Sequence, residues 1–364
     1  MAITAAMVKE LREMSGAGMM DCKKALTECD GDMDAAVEFL RKSGAMKAEK
    51  KASRIAAEGL CVIATDGDKK AAVVEVNSET DFVAKNEKFQ NFVGEVAKQA
   101  LNSESGDIEA FMAEKWAADN SKTVNDVQVE MIATIGEKLS IRRFAKVEAA
   151  GGCVATYVHG GGRIGVIVEG KTADVNDGVK EALKNVAMQI AAMNPQYISR
   201  DDISDEEIAK MREITLDSAL NDPFSLPKPI LQGLIDKAVN DKKWSDSDIA
   251  IYEEKKSNMN YLPNFLSEEA PKVLAELAMA DKDAIVANKI FGGLVEGRIS
   301  KQLKEISLLD QVYVKAEDGK QTVKAYLASV DPSLVVARMV RFEVGEGLEK
   351  KNEDFAKEVA AQLG

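Results

Sequence analysis

The sequence has little of what most catalytic and metal sites need. Its 364 residues include one histidine, and its four cysteines show no CxxC spacing, so we expect neither a zinc site nor a catalytic triad. It contains no GxxxxGK[ST] loop and no GxGxxG after a strand, the two common phosphate-binding patterns. These absences favour a binding protein over an enzyme, and we predict no cofactor.

Basic residues are also in deficit. The formal net charge is -13 at pH 7, which argues against direct nucleic-acid binding, because neutralising phosphates needs an excess of Lys and Arg. No apolar stretch approaches the length of about 18 residues that suggests a membrane span, and no basic and apolar signal opens the chain. We therefore expect a soluble, cytoplasmic protein with reduced thiols and no membrane contact.

The chain is long enough for two or more domains, and its 46% apolar residues can fill their cores. Residues 1–55 predict a three-helix module with a basic linker. Thr4 caps the first helix, the second runs from Asp21 to about Cys29, and the third runs from Asp32 to Gly44. Met19 and Met20 are predicted in the glycine-rich loop, where they either pack inward or face a partner.

An internal repeat follows this module. Gly59–Ala64 and Ala71–Val76 predict a hairpin whose Asp66-Gly67 suits a type I′ turn. The second hairpin is predicted from Gly152–Tyr157, the three glycines at 160–162 and Arg163–Glu169, and the third strands from Ser140–Val147 and Val335–Val344. The predicted fold class is α+β, with two similar antiparallel sheets, each covered by helices on one side, at residues 56–150 and at 151–200 with 306–345.

Residues 201–305 interrupt the second half. Ser204–Leu220 and Ala284–Glu305 predict two long helices that pair as a projecting arm. Between them, 221–283 holds five of the seven prolines and several aromatic residues, which indicates an ordered insertion. Two further helices are predicted inside the insertion, Pro227–Asn240 and Glu268–Ala280. Residues 346–364 predict a terminal amphipathic helix.

The stretch from Asn77 to Val83 lies where a β-branched strand meets a helix. From the pattern alone, Asp81 is an N-cap or turn residue and Phe82 anchors the core. The alternative is that Phe82 contacts a partner.

Two longer segments carry a family resemblance. Leu11–Leu26 (LREMSGAGMMDCKKAL) and Glu75–Ala84 (EVNSETDFVA) closely resemble the two signatures of the translation elongation factor Ts family. His159–Val166 and Arg341–Gly347 look like further family segments. The resemblance covers nearly the whole chain outside 221–283, the main departure from the family pattern.

The resemblance implies a guanine-nucleotide exchange factor for elongation factor Tu. It implies that the N-terminal module and the terminal helix contact the partner's nucleotide-binding domain, that the second core half contacts another domain, and that the arm can serve homodimerisation. The residues that match the stretch inserted near the partner's magnesium site are Thr80, Asp81, Phe82 and Val83. The secondary contact residues are Met19, Met20 and His159.

A second hypothesis is a non-catalytic adaptor. The N-terminal module resembles ubiquitin-associated three-helix domains, and the insertion offers aromatic surface for partners. A hydrolytic site built on Asp81 and His159 has almost no support in the sequence, because no serine or cysteine nucleophile stands beside the histidine.

Overall fold

The computed structural model describes residues 3–349 of the chain. These residues form helices and antiparallel sheets, which confirms the predicted α+β class. The described residues divide into two compact units, the first of 3–194 and 313–349 and the second of Pro195–Val312. The predicted terminal helix lies, apart from its first residues, outside the described part. None of the described helices is both long enough and apolar enough to cross a membrane.

The first unit begins with helices and a three-stranded sheet. Thr4 caps the first helix with its hydroxyl, which accepts a hydrogen bond from the Met7 N–H, and Gly16 ends that helix in a left-handed conformation. The elements are α1 (Ala5–Ser15), α2 (Met19–Glu28), α3 (Met33–Lys51), β1 (Glu58–Asp66), β2 (Lys70–Ser78), α4 (Asp81–Ala84), α5 (Glu87–Asn102), α6 (Ile108–Ala113), β3 (Lys115–Trp116), β4 (Asp119–Thr123), α7 (Val124–Ile135) and β5 (Leu139–Glu148).

The rest of the chain supplies the second sheet and the second unit. The elements are β6 (Gly152–His159), β7 (Ile164–Lys171), α8 (Asp177–Met193), α9 (Asp205–Asn221), α10 (Lys228–Asn240), α11 (Asp246–Lys255), α12 (Glu269–Ala280), α13 (Lys282–Val286), α14 (Lys289–Ile306), α15 (Val323–Val330) and β8 (Val335–Glu343). The strand orders are β1-β2-β5 and β6-β7-β8, all antiparallel, so both predicted hairpins and both third strands are confirmed.

Strand β2 is buried on both faces. Val74 and Val76 face the apolar side of α5, where Phe89 is fully buried. Val73 points the other way and packs with Ile167 of the second sheet. The two sheets of the first unit therefore pack on each other, and helices cover the outer side of each sheet, as expected for layered domains.

Two local predictions were wrong. Helix α3 does not end at Gly44 but continues to Lys51 into the basic linker, and Gly44 packs against α7, where an added Cβ would lie 3.6 Å from Ala133 Cβ. The β1-β2 turn is not type I′. Its loop has three residues, and Gly67 has a φ of 57° whereas Asp68 lacks the positive φ that a type I′ turn also needs.

The second unit has its own core. Trp244 is buried there and donates a hydrogen bond to the Ala270 carbonyl, with 3.0 Å between Nε1 and O. The insertion is ordered, and α10 and α12 confirm its two predicted helices, while α11 was not predicted. The single helix predicted at Ala284–Glu305 is two helices, because Asn288 caps α14 by accepting a hydrogen bond from the Ile290 N–H.

Candidate functional site

The junction after β2 presents one aromatic side chain to solvent. β2 ends at Ser78 and leads into α4, a single helical turn. Within this turn the Val83 side chain is buried in the core beside Phe89, whereas Phe82 is 77% exposed. The interpretation of Phe82 as a core anchor was therefore wrong. Val83 is the anchor, and its burial fixes the direction in which its neighbour points.

The N-cap position expected for Asp81 is taken by the residue before it. Thr80 occupies the N-cap position of α4, with an extended backbone, so Asp81 is not the cap. The Asp81 carboxylate instead lies 2.8 Å from Lys85 Nζ, and this hydrogen bond lowers the pKa of Asp81 below its ordinary value. The Lys85 ammonium also lies 5.8 Å from the centre of the Phe82 ring, at cation–π distance.

Met19 and Met20 are presented to solvent from a helix. The prediction that they lie in a loop was wrong. They form the first turn of α2, because Gly18 takes the N-cap position. Their side chains are exposed, and those of Met14 and Met46 are exposed as well. Flexible thioethers adapt to irregular surfaces, so this group suits contact with a protein partner.

His159 is the last residue of β6 and is exposed. Its Nδ1 lies 3.1 Å from Tyr157 Oη. The three glycines that follow it all have positive φ values, which the tight loop requires. The carbonyl of Gly162 accepts a hydrogen bond of 2.7 Å from Cys61 N–H, so this loop is attached to the first sheet.

A groove of about 370 Å³ brings the two predicted contact segments together. Asp81 and Lys85 line one side, and Gly160, Gly161 and Arg163 line the other. Phe82 and His159 are each adjacent in sequence to a lining residue. Met19 and Met20 do not line this groove.

Sequence reasoning missed the importance of Glu75. Its carboxylate is fully buried and accepts hydrogen bonds from Arg142 Nη1 at 3.0 Å and from Gly345 N at 2.8 Å. Arg143 pairs with the same carboxylate and, at 3.0 Å, with Glu346. Through these contacts the segment Arg341–Gly347 is attached to β2, the strand that leads to Phe82. An acidic residue within an apolar strand was the available signal.

Within residues 3–349, no group of three or more His, Cys, Asp or Glu side chains is placed to hold a metal ion. The prominent features are an exposed aromatic residue, a groove beside it and an exposed methionine surface, which define a partner-binding protein. The family model described as "Elongation factor TS" matches residues 79–245 and 248–346. The chain belongs to the elongation factor Ts family, and it is a translation elongation factor.

Three curated relatives named Elongation factor Ts match the full length. The protein of Clostridioides difficile is 43% identical, that of Clostridium novyi 41% and that of Clostridium kluyveri 40%, each over 99% of both chains.

Proposed function

We propose that this chain binds elongation factor Tu in its GDP form and promotes GDP release, so that GTP can bind. In this proposal Thr80–Val83 enters the magnesium and nucleotide site of the partner, with Phe82 as the wedge and Val83 as its buried support. The chain makes and breaks no covalent bond, so it is not an enzyme in this role. We place this activity in the cytoplasm, together with translation.

The exposure of Phe82 is the observation that carries the proposal. Leaving a phenylalanine in water forgoes about 2 kcal/mol of apolar burial, and a partner that covers the ring recovers it. The ring stands on a turn whose two neighbours in the chain, β2 and α5, are packed into the core. A rigid base allows the ring to displace partner side chains instead of yielding to them.

Thermodynamic linkage explains how such contact releases nucleotide. If this chain binds the nucleotide-free partner more tightly than the GDP form, GDP weakens the complex by the same factor. Magnesium neutralises phosphate charge, so displacing the residues that hold the ion weakens GDP binding. Each 1.4 kcal/mol of such coupling changes affinity about tenfold.

The other predicted contacts fit around this one. We assign the methionine surface at Met19 and Met20 to the nucleotide-binding domain of the partner, and His159 to another partner domain. The groove between the glycine loop after His159 and the junction that presents Phe82 accepts partner residues near the Asp81–Lys85 pair. Pairing of two chains through the second unit also remains part of the proposal, and light scattering with and without 221–283 tests it.

Release of fluorescent GDP from elongation factor Tu tests the wedge. Phe82→Ala should slow release at saturating factor by at least about tenfold, because the group that acts on the nucleotide site is lost. Phe265→Ala is the matched control, since Phe265 is also an exposed phenylalanine but belongs to the second unit. An unchanged rate for Phe82→Ala removes Phe82 from the mechanism.

The adaptor hypothesis predicts a different complex. An exchange factor forms a complex with elongation factor Tu that GDP dissociates, whereas an adaptor binds its partners regardless of nucleotide. Gel filtration of the two proteins with and without GDP separates these alternatives. A complex that GDP leaves intact favours the adaptor.

A further inference from the structure

One end of the proposed wedge is held by a single carboxylate. Glu137, in the turn between α7 and β5, accepts two hydrogen bonds from Thr80. Its Oε2 lies 3.0 Å from the Thr80 amide nitrogen and its Oε1 lies 2.8 Å from the Thr80 hydroxyl. Because one donor is backbone and the other is side chain, the pair fixes both the peptide plane and the rotamer at the N-cap of α4.

The neighbouring residues repeat this contact in the opposite direction. Glu79 Oε1 accepts a hydrogen bond of 2.6 Å from the Lys138 amide. In each of the two segments, 79–80 and 137–138, a glutamate carboxylate thus accepts a hydrogen bond from a backbone N–H of the other segment. We call these four residues, Glu79, Thr80, Glu137 and Lys138, the clasp.

The clasp is also attached to the end of α3. Arg54 Nη1 lies 3.2 Å from both carboxylate oxygens of Glu79. Lys138 Nζ donates to the carbonyls of Ala52 at 2.7 Å and Arg54 at 2.8 Å, and Lys51 donates to the Gly136 carbonyl. The end of α3, the last of the three N-terminal helices, is therefore connected through the clasp to the turn that presents Phe82.

A helix of four residues does not hold its own direction in water, because a single turn does not repay its nucleation cost. The contacts that hold α4 include the burial of Val83 and the two hydrogen bonds that Thr80 donates to Glu137. We propose that Glu137 is a positioning residue that orients Phe82 and links its orientation to the N-terminal helices. This inference rests on the proposed exchange function, since it assigns Glu137 an effect that passes through Phe82.

A double-mutant cycle tests this assignment. Glu137→Gln keeps the size of the side chain but leaves only one oxygen acceptor for two donors. We expect GDP release to slow by about tenfold in the otherwise unaltered chain, and by less than about twofold in the Phe82→Ala background. Glu114→Gln is the matched control, because Glu114 also accepts several side-chain hydrogen bonds, from Ser103 and Ser105, away from the junction. The control should leave release unchanged.

The outcomes are separable. An equal slowing by Glu137→Gln in both backgrounds shows an effect independent of Phe82 and overturns the positioning role, as does no slowing at all. An unchanged rate for Phe82→Ala alone overturns the proposed wedge and, with it, the effect on GDP release that we assign to Glu137. If Glu137→Gln does not fold, Thr80→Val tests the same contact with a smaller change, because it removes only the hydroxyl donor.

Amide hydrogen exchange of the free protein gives a readout that does not depend on the partner. In Glu137→Gln the peptide covering residues 78–86 should exchange at least about tenfold faster, while peptides from α5 keep their protection. Unaltered exchange at 78–86 shows that Glu137 does not hold the turn, and this overturns the inference even if the exchange function stands.

Discussion

The two sheets of the first unit have the same architecture, and they differ in the segment that follows the central strand, where the proposed partner contact lies. Gly59, the second residue of β1, has a φ of 132°, and Gly152, the first residue of β6, has a φ of 142°. Glu75 and Glu169 are both buried in the central strand, and in both sheets the pairing with the third strand shifts at the next residue. The repeat therefore extends to individual backbone irregularities.

The segments that leave the central strands are unlike each other. After β2 the chain makes α4 and exposes Phe82. After β7 the Thr172 hydroxyl donates to Asp331, and Asn176 caps α8 directly. One junction presents an aromatic ring, and the other is held by a hydrogen bond to the turn between α15 and β8 and by the cap of α8. The comparison indicates that the two copies share one scaffold and that only one of them exposes an aromatic side chain in the segment after its central strand.

The largest expected difference concerns the two buried glutamates. Glu75→Gln removes the charge that Arg142 and Arg143 share, and should lower the free energy of unfolding by about 3 kcal/mol. Glu169 accepts a long hydrogen bond of 3.4 Å from Ala150 N–H, and Glu169→Gln should cost about 1 kcal/mol. Urea unfolding of both variants measures the difference. Equal losses would mean that the network around Glu75 contributes no more to the free energy of unfolding than the single hydrogen bond of Glu169.

The glycines that open the two hairpins should behave alike. An added Cβ would lie 2.1 Å from the Val76 carbonyl oxygen at Gly59, and 2.0 Å from the Gly170 carbonyl oxygen at Gly152. Gly59→Ala and Gly152→Ala should each cost at least about 2 kcal/mol, because backbone must move in both cases. Thermal unfolding compares them. A large loss at only one position would contradict the equivalence of the two halves.

The caps of the covering helices offer a milder comparison. The Asn86 side chain accepts a hydrogen bond of 2.9 Å from Lys88 N–H at the start of α5, and Asn176 accepts one of 3.1 Å from Val179 N–H at the start of α8. Replacing either residue with alanine should cost about 1 kcal/mol, and replacing it with serine should cost less. Denaturant midpoints measure both, and if serine proves as costly as alanine the loss is not one of capping.

The smallest expected effect concerns the reactivity of the buried thiols and not the stability of the fold. Burial raises the pKa of Cys61 to about 12, with Glu75 adding to the shift, and burial also raises the pKa of Cys153. At pH 8 only about one Cys61 thiol in ten thousand is then a thiolate, the form that reacts. Alkylation of the native chain, followed by peptide mass spectrometry, should label half-buried Cys29 first, Cys153 later and Cys61 last. Rapid labelling of Cys61 would show that the first sheet opens readily.

The strands and the repeat were predictable because their signals are local. Runs of β-branched residues bounded by glycine identify both hairpins, and helical spacing identifies α5 and α8. Local signals placed a helix end at Gly44, but this glycine lies inside α3 and packs against α7, a contact that the sequence pattern does not show.

The candidate site was predictable as a segment but not in its detail. Phe82 and Val83 are adjacent apolar residues, and nothing in their own types says which one is buried. The answer depends on the direction of α4, and that direction depends on contacts from residues far along the chain, such as Glu137. For the same reason no sequence signal pointed to the clasp.

The hydrogen bond between Glu75 and the Gly345 amide joins residues 270 positions apart, so it can form only late in synthesis. At about 5–20 residues per second, the ribosome needs on the order of 10–50 s after making Glu75 before it makes the segment that completes its network. The second unit, encoded in between, has its own core and can fold during this interval. Until then Glu75 has Arg142 and Arg143 as partners but lacks the Gly345 amide, so the newly made chain gains its full stability only when the last strand has left the ribosome.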